Sequence, residues 1–190
     1  MTAQPGGMPR QDTDILAQAE NGTFAGQWTL VSGQSTVEFA NRHFWNAMTV
    51  RGRFEQVSGE GTVGPDGTVT GQLVIDAASL TTGNNQRDKH LRSADFFDVE
   101  KHPRVVLSIT RARLSDAATL NVEGMLEATG VAEPVSLTAS VVTASPDEVT
   151  LRGELDIDRG KFGMTWSPLR MSSMRASGSA TMTFRRVAAS

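Results

Sequence analysis

The chain has 190 residues, with 18 Lys and Arg against 21 Asp and Glu, a formal net charge of −3 and no cysteine. That length suits one domain with one substantial core. The missing cysteine excludes disulfides, thiol nucleophiles and Cys-ligated metal sites, and the acidic balance argues against nucleic-acid partners, whose non-specific binding is driven by cationic charge.

Residues 1–24 hold Pro5, Gly6, Gly7, Pro9 and Gly22 around one short helical segment, in which Asp12 or Asp14 caps Ile15 to Glu20. The expectation is a flexible N-terminal arm over 1–24 and a single barrel domain over 25–187. The first 30 residues have only Ile15-Leu16-Ala17 as an apolar run, short of the roughly 7–15 residues of a secretory signal. No stretch approaches the roughly 18 apolar residues of a transmembrane segment. A cytoplasmic protein is expected.

From Trp28 onward, polar and apolar residues alternate with the period of two that puts successive side chains on opposite faces of a strand. Strands are expected at 28–31, 35–40 and 47–57. Further one-sided runs are Val69/Gly71/Leu73/Ile75, Val105/Leu107/Ile109, Leu120/Val122/Gly124/Leu126, Val135/Leu137/Ala139/Val141, Val149/Leu151/Gly153/Leu155/Ile157 and Ala176/Gly178/Ala180/Met182/Phe184. Turn signals at Gly64-Pro65-Asp66-Gly67, Ser115-Asp116, Thr129-Gly130 and Ser145-Pro146-Asp147 separate them. One short helix around 84–97, capped by Asn84 or Asn85 and leading to Phe96-Phe97, interrupts an otherwise all-β chain. About eight closely spaced strands predict an antiparallel sandwich or closed barrel. A barrel of that size is either filled or holds one small ligand. The small residues Ala176, Gly178, Ala180, Gly71, Gly124, Gly153 and Ala139 either leave such a space or mark bulges and bends.

Chemistry-bearing motifs are sparse. His43, His90 and His102 show no His-x-His or His-Glu-x-x-His spacing, and no Gly-x-Ser-x-Gly elbow or Gly-rich phosphate loop is present. No catalytic residue, metal ligand or cofactor is therefore named. The densest polar cluster runs from Asn84 to Arg92. Arg87, His90 and Lys89 near its helix start suit an anionic head group; alternatively, Arg87 and Asp88 make structural ion pairs that pin the helix over a barrel end.

The run Ser79-Leu80-Thr81-Thr82-Gly83, then Arg87-Asp88-Lys89-His90-Leu91-Arg92-Ser93, then Asp95-Phe96-Phe97-Asp98-Val99-Glu100-Lys101-His102-Pro103 resembles the signature of the YceI-like family of polyisoprenoid-binding proteins. Ser35-Thr36-Val37-Glu38-Phe39, Val50-Arg51-Gly52-Arg53-Phe54, Val122-Glu123-Gly124-Met125-Leu126 and Asp158-Arg159-Gly160-Lys161-Phe162-Gly163-Met164 agree with it. The resemblance implies an extended antiparallel lipocalin-like β-barrel whose apolar interior holds an isoprenoid or other lipid tail, with no enzyme activity established for the family as a whole. Thr129 stands where the family often has a histidine, and many relatives are exported.

The resulting reading is non-catalytic binding of a polyisoprenoid, isoprenoid quinone or fatty-acid-like lipid, for storage, transport or stress response. Its candidate apolar wall is Phe39, Phe54, Leu73, Ile75, Leu107, Ile109, Leu126, Leu137, Leu151, Met164, Trp166, Ala180, Met182 and Phe184, with Trp45 and Met48 at the mouth. Arg87 and His90 are the candidate polar contacts. An enzyme using His90 as acid or base, or a filled protein-interaction barrel, are the alternatives, and a homodimer is left open.

Overall fold

The computed structural model describes residues 12–43, 48–167 and 172–188. In chain order these form α1 (Asp12–Glu20), β1 (Gly26–Leu30), β2 (Thr36–His43), β3 (Met48–Phe54), β4 (Val57–Val63), β5 (Val69–Asp76), β6 (Leu80–Thr81), α2 (Asn85–Arg92), β7 (Arg104–Leu114), β8 (Thr119–Ala128), β9 (Val131–Ala144), β10 (Glu148–Asp158) and β11 (Ser172–Arg186). All strands join one antiparallel sheet in the order β1-β4-β5-β7-β8-β9-β10-β11-β2-β3-β6, and a further β1–β11 pairing closes it into a barrel.

The eleven strands behave as eight long ones. β1 and β2 lie end to end along β11, with Leu30 opposite Phe184 and Val37 opposite Ala180. β4 and β3 follow beside them, then β5 and β6. Each next strand pairs with its predecessor, so the ring is a simple up-and-down meander whose closure through β1 and β11 removes the edges those strands would otherwise expose. Where the ladder breaks, polar side chains take over. The Ser32 hydroxyl donates to the Val57 carbonyl at 2.8 Å, the Gln56 N–H donates to the Ser79 hydroxyl at 3.0 Å, and the Thr183 N–H donates to the Ser35 hydroxyl at 3.1 Å. These contacts satisfy backbone groups that would otherwise lose their partners.

The fold departs from expectation in three places. The single strand expected over 47–57 is two, because the strand is interrupted at residues 55–56 and β4 carries on to Val63. In β4 the inward positions are Val57, Gly59, Gly61 and Val63, and two glycines in the middle erase the apolar period. The helix expected around 84–97 ends at Arg92, where the Ser93 hydroxyl and N–H both donate to the His90 carbonyl. Finally, residues 12–24 do not extend as an arm: Ala19 and Phe24 are buried against Trp28, and the Trp28 indole donates to the Phe24 carbonyl at 2.9 Å.

The two barrel ends are closed differently. At one, α1 and Phe24 lie over the rim. At the other, Phe39, Phe54 and Phe97 form an aromatic cluster with ring centroids 5.3, 5.7 and 6.5 Å apart. Between β9 and β10 the ladder covers only Ala139 to Ala144 against Val149 to Gly153. Pro134, which has no N–H to offer a partner, sits in the β9 stretch that lacks a β10 neighbour.

Candidate functional site: an apolar cavity inside the barrel

The inward faces enclose a cavity of about 290 Å³. Leu73, Ile75, Leu107, Ile109, Leu126, Leu137, Leu151, Ala180, Met182 and Phe184 all line it, as the alternation predicts. Glu60 and Glu154 also border it, beside Gly61 and Gly153, where the missing side chains bring the space close to the backbone. For scale, an engineered apolar cavity of about 150 Å³ stays dry and binds benzene.

Sequence reasoning missed part of this wall. Ala112 and Leu114 line the cavity, yet their inward phase is one residue out of step with Val105, Leu107 and Ile109. A register shift between Ile109 and Arg111 inserts an extra residue in β7, and such a bulge resets which side chains face in. Leu155 and Ile157 continue the β10 pattern to the wall, Trp28 of β1 joins them, and Ile15, Ala19 and Phe24 close the space from outside the meander.

The small residues resolve position by position. Gly71 and Gly124 sit opposite bulges. A Cβ on Gly71 would lie 2.5 Å from the Glu60 carbonyl oxygen, and one on Gly124 would collide with the Ser108 carbonyl. Here glycine permits close backbone approach. At Gly153 and Gly178 the nearest atoms to an added Cβ are 3.5 and 3.7 Å away, and both line the cavity. Here glycine leaves room.

Other expected wall residues lie elsewhere. Phe39 and Phe54 belong to the aromatic cluster that seals one end, because the paired β2 and β3 run past the cavity at that end. Met164 is buried with Phe162 and Ala128 below that space. Trp166 lies at the surface, 37% exposed, with its ring 4.5 Å from that of His90. Trp45 and the Met48 side chain fall outside the described residues.

Neither Arg87 nor His90 borders the cavity. The Arg87 guanidinium donates to the Thr82 hydroxyl at 2.7 Å and the Thr82 carbonyl at 3.1 Å. Asp88, 4% exposed, accepts from the Thr82 N–H at 2.9 Å and from the Thr81 hydroxyl at 3.2 Å, while the Arg92 guanidinium donates to the Ala78 carbonyl at 2.9 Å and also to that of Leu80. With Asn84 capping through the Arg87 N–H at 3.0 Å, the motif is a clamp of α2 on residues 78–82. Its members hold the strap of residues 78–82, so hydrogen bonds to that stretch do the pinning that the alternative reading gave to ion pairs of Arg87 and Asp88. Burial raises the Asp88 carboxyl, but the hydrogen bonds from Thr82 and Thr81 and the charge of Arg92 outweigh it and hold the group below its ordinary value.

His90 turns its Nε2 to Asp95 at 3.0 Å and lays its ring against Phe96 and Trp166, outside reach of the cavity. The late motif has a comparable structural task. Arg159, 5% exposed, donates to the carbonyls of Ser173 at 2.8 Å, Met164 at 2.5 Å and Trp166 at 3.0 Å, and burial lowers its pKa. Thr129 takes a positive φ of 52° in the tight β8–β9 turn, where its hydroxyl donates to the Phe162 carbonyl.

The model of the YceI-like domain family matches residues 28–186. Among known proteins, a UPF0312 protein of Vibrio cholerae is 31% identical over 100 residues, 52% of this chain and 53% of its own. Protein YceI of Escherichia coli is 36% identical over 75 residues, 40% of this chain and 39% of its own. The matched stretch thus spans about half or less of these relatives' length. BcnA of Burkholderia cenocepacia has the same fold with a TM-score of 0.73 at 19% identity, covering 81% of this chain and 98% of its own. A polyisoprenoid binding domain from Saccharophagus degradans has a TM-score of 0.69 at 17% identity, covering 84% and 98%.

Proposed function

The chain belongs to the YceI-like domain family, and from that premise we propose that it binds one long apolar ligand inside the barrel, to store or carry it rather than transform it. A polyisoprenoid, an isoprenoid quinone or a fatty-acid-like lipid fits this reading. The observation that carries it is the cavity itself, about 290 Å³ and walled by aliphatic and aromatic side chains from around the closed ring. Transferring an alkyl or prenyl tail into such a site is worth about 25 cal/mol per Å² of apolar surface removed from water. The likeness in fold to a domain described as polyisoprenoid binding supports a lipid tail as the occupant.

The clamp that occupies Arg87 and the Asp95 contact of His90 leave affinity to the tail rather than to a head group held by these two residues. Native mass spectrometry of protein purified without detergent, followed by lipid extraction, tests the proposal. The expected result is a co-purifying apolar adduct, or uptake of one when prenyl or fatty-acyl compounds are added. A bare chain that takes up none of them would count against it.

A further inference from the structure

We infer, building on the proposed apolar ligand, that the segment Ile15–Phe24 is the end wall of the cavity and sets the length of the chain the barrel accepts. This segment lies outside the family-matched residues 28–186, yet Ile15, Ala19 and Phe24 border the same space as the barrel strands. Ile15 and Ala19 are four residues apart and so share one face of α1. A helix as short as Asp12–Glu20 is marginal alone in water, so packing must hold it in place.

The contacts that do so are specific. Ala19 is 7% exposed, and Gly67 in the β4–β5 turn comes so near that a Cβ there would lie 3.0 Å from the Ala19 carbonyl oxygen. The connection to β1 turns at Gly22, with φ of +80°. Two barrel side chains then grip successive carbonyls beyond it. The Arg186 guanidinium donates to Thr23, and the Trp28 indole donates to Phe24 at 2.9 Å. Arg186 in turn sits 5.5 Å over the Trp28 ring. The end wall is thus latched from the barrel rim, and the side chains of Ala19 and Phe24 fix where a ligand tail must stop.

The test uses full-length protein and straight-chain primary alcohols from octanol to eicosanol, with affinity read by displacement of a fluorescent fatty-acyl probe. In the wild type, affinity is expected to rise about fourfold per added methylene, the equivalent of about 0.8 kcal/mol per buried CH₂, and to level off once the tail meets the end wall. Ala19→Leu should move that break to a chain shorter by about two carbons, and Phe24→Ala should move it to a longer one, each variant first shown to unfold cooperatively. A break at the same chain length in the wild type and whichever variants fold overturns the inference while leaving the binding proposal standing. No binding of any alcohol or probe by the wild type overturns both.

Discussion

Ala180 lies opposite Gly153 in β10 and Val37 in β2, and it faces the cavity beside Gly178 and Met182. The added methylenes of Ala180→Leu should enter open space, so unfolding is expected to stay cooperative with a change of less than about 1 kcal/mol, below the roughly 1–3 kcal/mol of an overpacked core. Uptake of an apolar ligand should be lost. Thermal unfolding and ligand titration of this variant check both halves: strong destabilisation would refute space at Ala180, and unchanged uptake would refute a ligand beside β11. Gly124→Ala should do the reverse, because its Cβ meets the Ser108 carbonyl rather than a void; a loss of about 1–3 kcal/mol is expected. Arg87→Ala removes the charged donor to Thr82 and should cost about 1.5–3 kcal/mol, while weakening a prenyl phosphate and its alcohol equally; a selective loss for the phosphate would return Arg87 to a head-group role. These residues mark how far the sequence could be read. Alternation carries a residue's face and therefore placed Leu73, Leu107 and Leu151 correctly, but it says nothing about distance along the barrel. Phe39 and Phe54 point inward and still belong to the end cluster. A glycine looks the same whether it admits a neighbouring backbone or a ligand.

At the scale of elements, α2 packs Leu91 against the core and is otherwise held by polar side chains, of which Asp88 is the most buried anchor. Its folded carboxyl is depressed below 3.8 by the hydrogen bonds from Thr82 and Thr81, against the opposing effect of burial. A depressed carboxyl contributes stability that is full above its unfolded value and fades as pH falls through the folded one. The contribution should therefore be present at neutral pH and vanish only in the acid limb below about 3.8. Asp88→Ala is expected to cost about 1.5–3 kcal/mol at pH 7, the range for hydrogen bonds to a charged group, and to unfold with a shallower acid dependence than the wild type. Denaturant titrations at neutral and acid pH measure both, and equal acid slopes would contradict the clamp. The Arg-Asp-x-His-Leu run was legible as a fold signature, but its partners were not, because Thr81, Thr82 and the carbonyls of Ala78 and Leu80 are recruited by the path of the strap. β4 was hidden for a related reason: Gly59 and Gly61 remove the apolar signal where the Leu73 side chain and the Thr70 carbonyl crowd in from β5. α1 was visible as a helix, but nothing local to Ile15 or Ala19 says that a barrel end awaits them.

For the whole molecule, the up-and-down order matters because every long strand turns one apolar face to the same axis and both ends are covered. Filling that interior couples ligand to fold: the cavity walls come from strands far apart in sequence, so an unfolded chain offers the tail no comparable site. A ligand that binds only the folded state adds about 2.7 kcal/mol at a free concentration one hundred times its Kd, and for a domain of this size each kcal/mol raises Tm by about 2–4 °C. A prenyl or fatty-acyl compound of suitable length should therefore raise Tm by about 5–11 °C, with a single sharpened transition. The shift should disappear in Ala180→Leu and persist in Arg87→Ala, since only the first closes the interior. Differential scanning calorimetry across prenyl phosphates, quinones, fatty acids and fatty amides reads this directly. No shift with any of the four classes would argue for a barrel whose interior stays empty in solution, and an equal shift in wild type and Ala180→Leu would place the ligand outside the ring.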